Sequence, residues 1–69
     1  MEIIKLRDNY IKLGQAIKAV ALVESGVEAK EVIVDGLVKV NGVVEIKRGK
    51  KLYDGDIVSF DGQEIKIEK

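Results

Sequence analysis

The densest group of chemically active side chains is a run of four cations within five residues: Lys47, Arg48, Lys50 and Lys51, with Gly49 between them. Ammonium and guanidinium groups at this density attract anions, and the central glycine lets the backbone come close to a bound anion. Basic clusters of this length also occur on solvated loops that bind nothing. The cluster alone therefore leaves two interpretations open, an anion-binding loop and a loop kept soluble by its charge.

Two further groups of polar residues could in principle do chemistry. Asp54 and Asp56 flank Gly55, but the other oxygen ligands of a calcium-binding loop do not follow at the required spacing. Ser25 has no histidine or lysine partner in a recognisable catalytic arrangement, and a helix-capping role accounts for it. We therefore expect a tight turn at 54–56, no catalytic residue, no metal and no cofactor.

Composition narrows the class of protein. The chain has 69 residues, 46% of them hydrophobic, and contains neither cysteine nor histidine. This length predicts one small domain, residues 1–69, with a compact core and no deep substrate cleft. The missing cysteine excludes disulfides and cysteine-based zinc sites, and the missing histidine removes the commonest general base. We therefore expect a protein that is not an enzyme.

Charge and hydropathy predict where the protein works. Twelve basic residues balance 12 acidic residues, so the formal net charge is zero, and any attraction to nucleic acid must come from local clustering. The apolar runs are too short to cross a membrane, and the first five residues lack the form of a secretory signal. We expect a cytoplasmic monomer with no membrane contact.

Residues 25–42 carry the clearest structural signals. Ser25 and Glu28 have the spacing of a capping box, in which the serine accepts from a first-turn amide and the glutamate accepts from the Ser25 amide. Gly36 readily adopts the positive φ that commonly ends a helix, which predicts a helix of about ten residues. Asn41-Gly42 then favours a type I′ turn between antiparallel strands.

An earlier helix is predicted to begin near Leu13. Apolar residues recur on one of its faces, namely Leu13, Ala16, Ile17, Val20 and Ala21. The predicted helix extends to Leu22, so only Val23 and Glu24 separate it from the Ser25 cap, which predicts a tight corner between the helices. Gly14 destabilises a helix by about 1 kcal/mol relative to alanine. It therefore predicts a close approach of a ligand or of another helix.

The remaining signals indicate a small sheet. Apolar residues alternate in the second half of the chain, where Asp61-Gly62 is a second type I′ signal. The expected strands are residues 2–6, 37–40, 43–46, 56–60 and 63–68. The predicted fold class is α+β, with two short helices packed on a small antiparallel sheet of about four to five strands.

The order of these signals resembles the alpha-L RNA-binding motif family, named for the ribosomal protein S-four type domain. The matching segments are LGQAIK in the first helix, SGVEAK at the second, VKVNG in the hairpin, Gly55-Asp56 before a strand, and KRGKKL at 47–52. The resemblance covers about residues 12–58 and is greatest to the small stand-alone bacterial members. It implies binding to structured RNA, such as ribosomal or transfer RNA, through a face formed by the two helices and the adjoining hairpin.

The resemblance also implies a set of RNA-contacting residues. The set combines basic positions and the hairpin asparagine of the family motif, exposed neighbours on the first helix, and the loop cations: Lys12, Gln15, Lys18, Lys30, Lys39, Asn41, Lys47, Arg48, Lys50 and Lys51. Gln15 and Lys18 are included as neighbours rather than as motif matches, and the first role of Asn41 is the turn. Because lysines act on phosphate as point charges, we expect recognition of RNA shape rather than of sequence.

Some residues argue against strong or sequence-specific RNA binding. The chain has only three aromatic residues, Tyr10, Tyr53 and Phe60, so a platform for stacking single-stranded bases is not expected. Glu31 and Asp35 stand on the second helix where RNA-binding relatives often carry basic residues. These acidic residues and the zero net charge predict a modest affinity.

The alternative function is a protein–protein interaction module with no direct RNA contact. Leu22, Val34 and a sheet edge would form its contact surface, and the basic loop would only keep the protein soluble. The two functions differ in salt dependence and in their reliance on the loop cations. The sequence alone is compatible with either binding partner, a ribosome-associated RNA or another protein.

Overall fold

The computed structural model describes residues 1–69. It contains seven strands and two helices, which confirms the predicted α+β class. In chain order they are β1 (Glu2–Lys5), β2 (Ile11–Lys12), α1 (Leu13–Ala19), α2 (Gly26–Val34), β3 (Val38–Val40), β4 (Val43–Val44), β5 (Lys51–Leu52), β6 (Ile57–Phe60) and β7 (Gln63–Glu68). Neither helix has the length and hydropathy needed to span a bilayer.

The main sheet has five strands in the order β1-β7-β6-β3-β4. Every neighbouring pair in it is antiparallel except β1 and β7, which run parallel with Lys5 opposite Glu68. The prediction of an antiparallel sheet is therefore wrong for this one pair. A hairpin forces its two strands to be antiparallel, whereas β1 and β7 are joined through the whole domain and carry no such constraint.

A second, two-stranded sheet pairs β2 with β5, and the sequence did not predict it. Ile11 lies opposite Leu52, and Lys12 lies opposite Lys51. Each strand is two residues long, which is too short to show an alternating pattern. We call residues 47–51 the basic loop. In this small ribbon, β2 leads directly into α1, and β5 begins at the last residue of the basic loop.

The first helix ends earlier than its apolar pattern predicted. After Ala19, the amide of Ala21 donates to the Lys18 carbonyl and the amide of Leu22 donates to the Ile17 carbonyl. These two bonds form a Schellman motif, with Ala21 in the left-handed region at φ 59°. Ala21 is exposed rather than on the buried face, and the connection to α2 is longer than the predicted corner.

The second helix forms largely as predicted. Ser25 Oγ accepts from the Glu28 amide at 3.1 Å, and Gly36 follows the helix at φ 78°. The Glu28 carboxylate, however, accepts from the amide of Glu24 at 2.7 Å and not from that of Ser25. The capping box is thus displaced by one residue, because the extended Ser25 backbone brings the preceding amide within reach of the glutamate.

Both predicted type I′ turns are present. The central residues have positive φ in each, at 52° and 82° for Asn41-Gly42 and at 52° and 76° for Asp61-Gly62. Strand β4 is shorter than the predicted 43–46. The Glu45 carboxylate accepts from the amides of Ile46 and Lys47, which replaces strand pairing there and directs the chain into the basic loop.

Twelve buried hydrophobic residues form one core between the helices and the main sheet. They are Leu13, Ala16, Ile17, Val23, Ala29, Ile33, Val38, Val40, Leu52, Val58, Ile65 and Ile67. Leu22, which was expected to be exposed, is half-buried against this core. Val34 is exposed as expected. The core holds α1, α2 and the β2–β5 ribbon in fixed positions, which in turn positions the basic side chains.

Candidate nucleic-acid interface

The basic loop is attached to the first turn of α1. The Leu13 amide donates to the Lys50 carbonyl at 2.8 Å, and the Gly14 amide donates to the Arg48 carbonyl at 3.0 Å. Amides in the first turn of a helix have no partner within the helix, so these bonds satisfy two groups that would otherwise need water. The loop is therefore held against α1 rather than extended into solvent.

Gly14 lies directly beside Arg48 of the basic loop. A Cβ added at Gly14 would lie 3.4 Å from Arg48 Cβ and 3.5 Å from the Arg48 carbonyl oxygen. The close approach predicted for this glycine is thus made by the basic loop, and not by the second helix. The small residue lets the Arg48 backbone pack directly on α1.

The attachment creates an open depression of about 360 Å³, which we call the helix-loop depression. It is lined by Lys12, Gly14, Gln15, Lys18, Gly26, Ala29, Arg48 and Gly49. Three of these residues are cations and none carries a carboxylate. The structure therefore brings four of the predicted contact residues, Lys12, Gln15, Lys18 and Arg48, to one concave surface.

None of the predicted contact cations is neutralised within the protein. The two ion pairs of the structure both involve Glu68, which lies 2.8 Å from the Lys5 ammonium and 3.9 Å from the Lys66 ammonium. Lys5 and Glu68 face each other at the β1–β7 edge, where their hydrogen bond and opposite charges raise the pKa of Lys5 and lower the pKa of Glu68. The ammonium and guanidinium groups of the depression consequently remain available to an external anion.

Lys12 occupies a position that is unfavourable for stability in two respects. It is the N-cap residue of α1, yet its side chain makes no capping hydrogen bond, and it places a positive charge at the positive end of the helix. It also lies directly opposite Lys51 in the ribbon. Gln15 Oε1 accepts from the Lys12 amide at 3.2 Å and supplies a partial substitute for a cap.

The other predicted contact residues lie outside the depression. Lys30 lies on α2 beside a second concavity that also has Glu31 and Asp35 in its lining. Lys39 is exposed on β3, where its neighbours Val38 and Val40 are buried. Lys50 and Lys51 line a separate groove with Tyr53 and Asn41, and Lys47 is exposed in the loop. The ten predicted residues therefore do not form one continuous site.

Asn41 is held by hydrogen bonds within the protein. Its Nδ2 donates to Asp56 at 3.0 Å, and its Oδ1 accepts from the Ile57 amide at 2.9 Å. Asp56 also accepts from the Tyr53 amide at 2.8 Å, and Asp54 accepts from the Lys69 amide at 2.9 Å. These bonds give the predicted turn at 54–56 and tie it to the β3–β4 hairpin.

An aromatic pair that the sequence did not predict lies next to the depression. Tyr10 and Tyr53 lie with ring centroids 6.1 Å apart and planes inclined by 53°, and the Lys51 ammonium lies 4.8 Å from the centre of the Tyr10 ring. Two of the three aromatic residues are thus brought together by the β2–β5 ribbon. The small number of aromatics concealed this, because only the unpredicted strand pairing makes them neighbours.

Two short helices beside a five-stranded, mostly antiparallel sheet, with a basic loop fixed to the first helix, define an α+β domain of the alpha-L type. The sequence matches the S4 domain family over residues 4–68, and the chain belongs to this family. The family prediction is therefore confirmed. The match extends beyond the 12–58 segment that carried the resemblance, since it includes the end of β1 and all of β7.

Individual relatives agree with this assignment. The chain is 36% identical to Escherichia coli (strain K12) YbcJ over 58 residues, which is 84% of this chain and 83% of YbcJ. It is 37% identical over 59 residues, 86% of this chain and 83% of the relative, to a Bacillus subtilis (strain 168) protein named "Probable ribosome maturation protein RlbA".

A solved structure has the same fold. The solution structure of E. coli YbcJ superposes with a TM-score of 0.76 at 33% identity and covers all of this chain and 89% of YbcJ. That structure is described as revealing an alpha-L motif involved in RNA binding. The predicted alpha-L architecture is thereby confirmed.

Proposed function

We propose that the protein is a non-enzymatic RNA-binding module that contacts the phosphate backbone of structured RNA. The observation that carries this proposal is the helix-loop depression, whose lining includes Lys12, Lys18 and Arg48 and no carboxylate. Three unpaired cations on a concave surface produce a local positive potential despite the zero net charge of the chain. The description of the YbcJ structure as an RNA-binding motif supports the same class of ligand.

The chemistry of the depression favours backbone contact over base reading. Lysine ammonium groups act as point charges, and the Arg48 guanidinium can donate two parallel hydrogen bonds to one phosphate. Gln15 is the only uncharged side chain in the lining that both donates and accepts hydrogen bonds. The surface is therefore suited to binding RNA tightly and to fixing the position of the protein on it. Discrimination between RNAs has to come from the shape of the RNA.

We infer that the bound RNA is folded ribosomal or transfer RNA, and that the protein meets it in the cytoplasm. The name of the B. subtilis relative, "Probable ribosome maturation protein RlbA", supports ribosomal RNA as the first ligand to test. A rigid depression fits a folded backbone better than a flexible single strand, because the spacing of its cations is fixed by α1 and the attached loop.

The experiment compares two charge-matched variants by anisotropy of labelled ribosomal fragments and transfer RNA. The site variant carries Lys12→Gln, Lys18→Gln and Arg48→Gln, and the control variant carries Arg7→Gln, Lys66→Gln and Lys69→Gln. We expect the wild-type log–log salt slope to lie near about −3 to −5, for roughly four to six phosphate contacts. The salt slope of the site variant should be shallower than that of the wild type by about two to three, because three phosphate contacts are removed.

The control variant decides whether position or net charge matters. Because both variants lose three positive charges, a general field effect would weaken both equally. The proposal requires that only the site variant bind weakly, with both variants folded by circular dichroism. Equal weakening of the two variants, or no binding of the wild type at low salt, would contradict it.

A second candidate function is a protein–protein interaction module at the β4 edge of the sheet. Val43 is 70% exposed there, and Val44 and Ile46 are also exposed. An open edge strand with apolar side chains can pair with another chain. This function predicts binding that is insensitive to salt and to the site variant, and that is lost in Val43→Lys.

A further inference from the structure

The tyrosine pair, Tyr10 and Tyr53, lies on the outer face of the β2–β5 ribbon. Successive residues of a strand point to opposite faces. Leu52 is buried and Ile11 half-buried on the inner face, whereas Lys12 and Lys51 are exposed on the outer one. The same register extended by one residue places Tyr10 opposite Tyr53. The outer face therefore presents two phenol rings and two ammonium groups.

The pair is only partly covered by the protein. Tyr10 is 37% exposed and Tyr53 is 49% exposed, and neither hydroxyl takes part in the side-chain hydrogen bonds of the structure. The core contacts at this point are made by Ile11 and Leu52 on the other face. The exposed rings are therefore not required to close the hydrophobic core.

The pair is also continuous with the helix-loop depression. Lys12 belongs to the depression and lies opposite Lys51, and the Lys51 ammonium lies 4.8 Å from the centre of the Tyr10 ring. A nucleic-acid strand whose phosphates contact Lys12 and Lys18 would pass beside these rings. Its next nucleotide would find aromatic surface and a cation together.

We propose that the tyrosine pair stacks one unpaired nucleobase of the bound RNA, with Lys51 contacting the phosphate of that nucleotide. This inference rests on the proposed function and adds a preference for structured RNA that carries an unpaired nucleotide next to a stem. Bases present flat aromatic surfaces, and stacking on tyrosine tolerates every base. The ring centroids are 6.1 Å apart and the planes are inclined by 53°, which leaves no parallel gap for a base, so the base stacks on the solvent side of the pair and not between the rings.

The test uses two RNA hairpins that are identical except for one unpaired 2-aminopurine beside the stem. Binding is measured by anisotropy for the wild type, Tyr53→Phe, Tyr53→Leu and the control Ile3→Ala, which removes an exposed apolar side chain from β1. We expect the wild type to prefer the hairpin with the unpaired base by about tenfold, and its 2-aminopurine fluorescence to be quenched on binding. Tyr53→Phe and Ile3→Ala should keep this preference.

Tyr53→Leu separates this inference from the proposed function. It should lose the preference and the quenching while its salt-dependent affinity for the fully paired hairpin stays within about twofold, because the depression is intact. A preference that survives in Tyr53→Leu, or that is missing from the wild type, would overturn the stacking site. Absence of wild-type binding to both hairpins would overturn the proposed function and this inference with it.

A second measurement needs no variant. The protein has two tyrosines and no tryptophan, so 3-fluorotyrosine labelling reports on this pair alone. We expect both ¹⁹F resonances of the wild type to shift on addition of the hairpin with the unpaired base and to shift far less with the paired hairpin. Equal shifts with the two RNAs would contradict base stacking at the pair.

Discussion

Lys12 and Lys51 lie directly opposite each other across the β2–β5 ribbon, and no carboxylate pairs with either ammonium group. Like charges in directly opposite strand positions are destabilising. Lys12 adds a positive charge at the N-terminus of α1, where the helix dipole also disfavours a cation. Residues kept against local stability in this way are typical of a binding surface, and bound phosphate would relieve both repulsions.

The first prediction is that Lys12→Thr stabilises the folded protein and weakens RNA binding. The threonine hydroxyl supplies the capping acceptor that Lys12 lacks, and the repulsion from Lys51 disappears. We expect the free energy of unfolding to rise by about 1 kcal/mol, measured by urea denaturation at low salt. RNA affinity should fall severalfold in the same buffer.

Lys12→Gln is the matched control for that substitution. It removes the charge without adding a cap, so its stabilisation should be only about 0.2–0.5 kcal/mol and should fade as salt is raised. Both variants should weaken RNA binding to the same extent. A Lys12→Thr protein less stable than the wild type would show that the N-cap and cross-strand arguments are wrong.

The second prediction concerns the attachment of the basic loop at Gly14. Gly14→Ala should be accommodated, since the added Cβ meets Arg48 at 3.4 Å, and it should stabilise the helix by about 0.5–1 kcal/mol. Gly14→Leu has no room beside Arg48 and should displace the loop. We expect it to weaken RNA binding and to shift the Arg48 and Gly49 amide resonances. Unchanged loop resonances in Gly14→Leu would refute the close packing.

The third prediction separates the contribution of the Asn41 side-chain hydrogen bonds from that of its left-handed turn conformation. Asn41→Gly keeps a residue that tolerates φ 52° but loses the bonds to Asp56 and Ile57, so it should destabilise the protein by about 1–2 kcal/mol. Asn41→Ala also forces alanine into the left-handed region and should cost about 1 kcal/mol more. Thermal unfolding of both variants measures the difference. Equal stability of the two would mean that the turn conformation is unstrained.

The fourth prediction concerns pH and the Lys5–Glu68 pair. The hydrogen bond and the positive charge of Lys5 lower the pKa of Glu68 below its ordinary 4.5, and Glu68 in turn raises the pKa of Lys5 above 10.5. A lowered carboxyl pKa gives stability that is present above pH 4.5 and is lost as the pH falls through the folded-state pKa. The raised ammonium pKa gives stability that is lost only as the pH rises through the folded-state pKa above 10.5.

Glu68→Gln should therefore be less stable than the wild type at pH 7, and the difference should shrink on acidification. Glu64→Gln on the same strand is the control, because Glu64 forms no ion pair. Urea denaturation at pH 7 and at successively lower pH measures both variants. A Glu68→Gln deficit that does not change with pH would show that the pair contributes nothing through charge.

Local signals in the sequence were sufficient for the two helices and for the strands of the main sheet, but not for the short strands β2 and β5 or for every strand pairing. Ser25 and the Asn41-Gly42 turn act within a few residues, and both are present as predicted. The β1–β7 pair joins residues such as Lys5 and Glu68, which are 63 positions apart, and no local pattern encodes its parallel direction. The early end of α1 depends on Ala21 adopting a positive φ, which its residue type disfavours.

The candidate site shows the same division. Helical spacing placed Gln15 and Lys18 on the exposed face of α1, and charge density identified Arg48 in the loop. Their meeting in one depression depends on the bonds from Leu13 and Gly14 to the loop carbonyls, which are long-range contacts. The tyrosine pair also depends on a long-range contact, the pairing of β2 with β5. It was not predicted because these two-residue strands carry no recognisable pattern.

Binding of RNA at the helix-loop depression can be measured by an NMR titration of the ¹⁵N-labelled protein with a structured ribosomal RNA fragment. We expect the largest amide shifts on the lining residues, above all Gln15, Lys18, Arg48 and Gly49, and we expect these shifts to reverse when salt is raised. Largest shifts along the β4 edge at Val43 and Val44, with the depression unaffected, would contradict RNA binding at the depression.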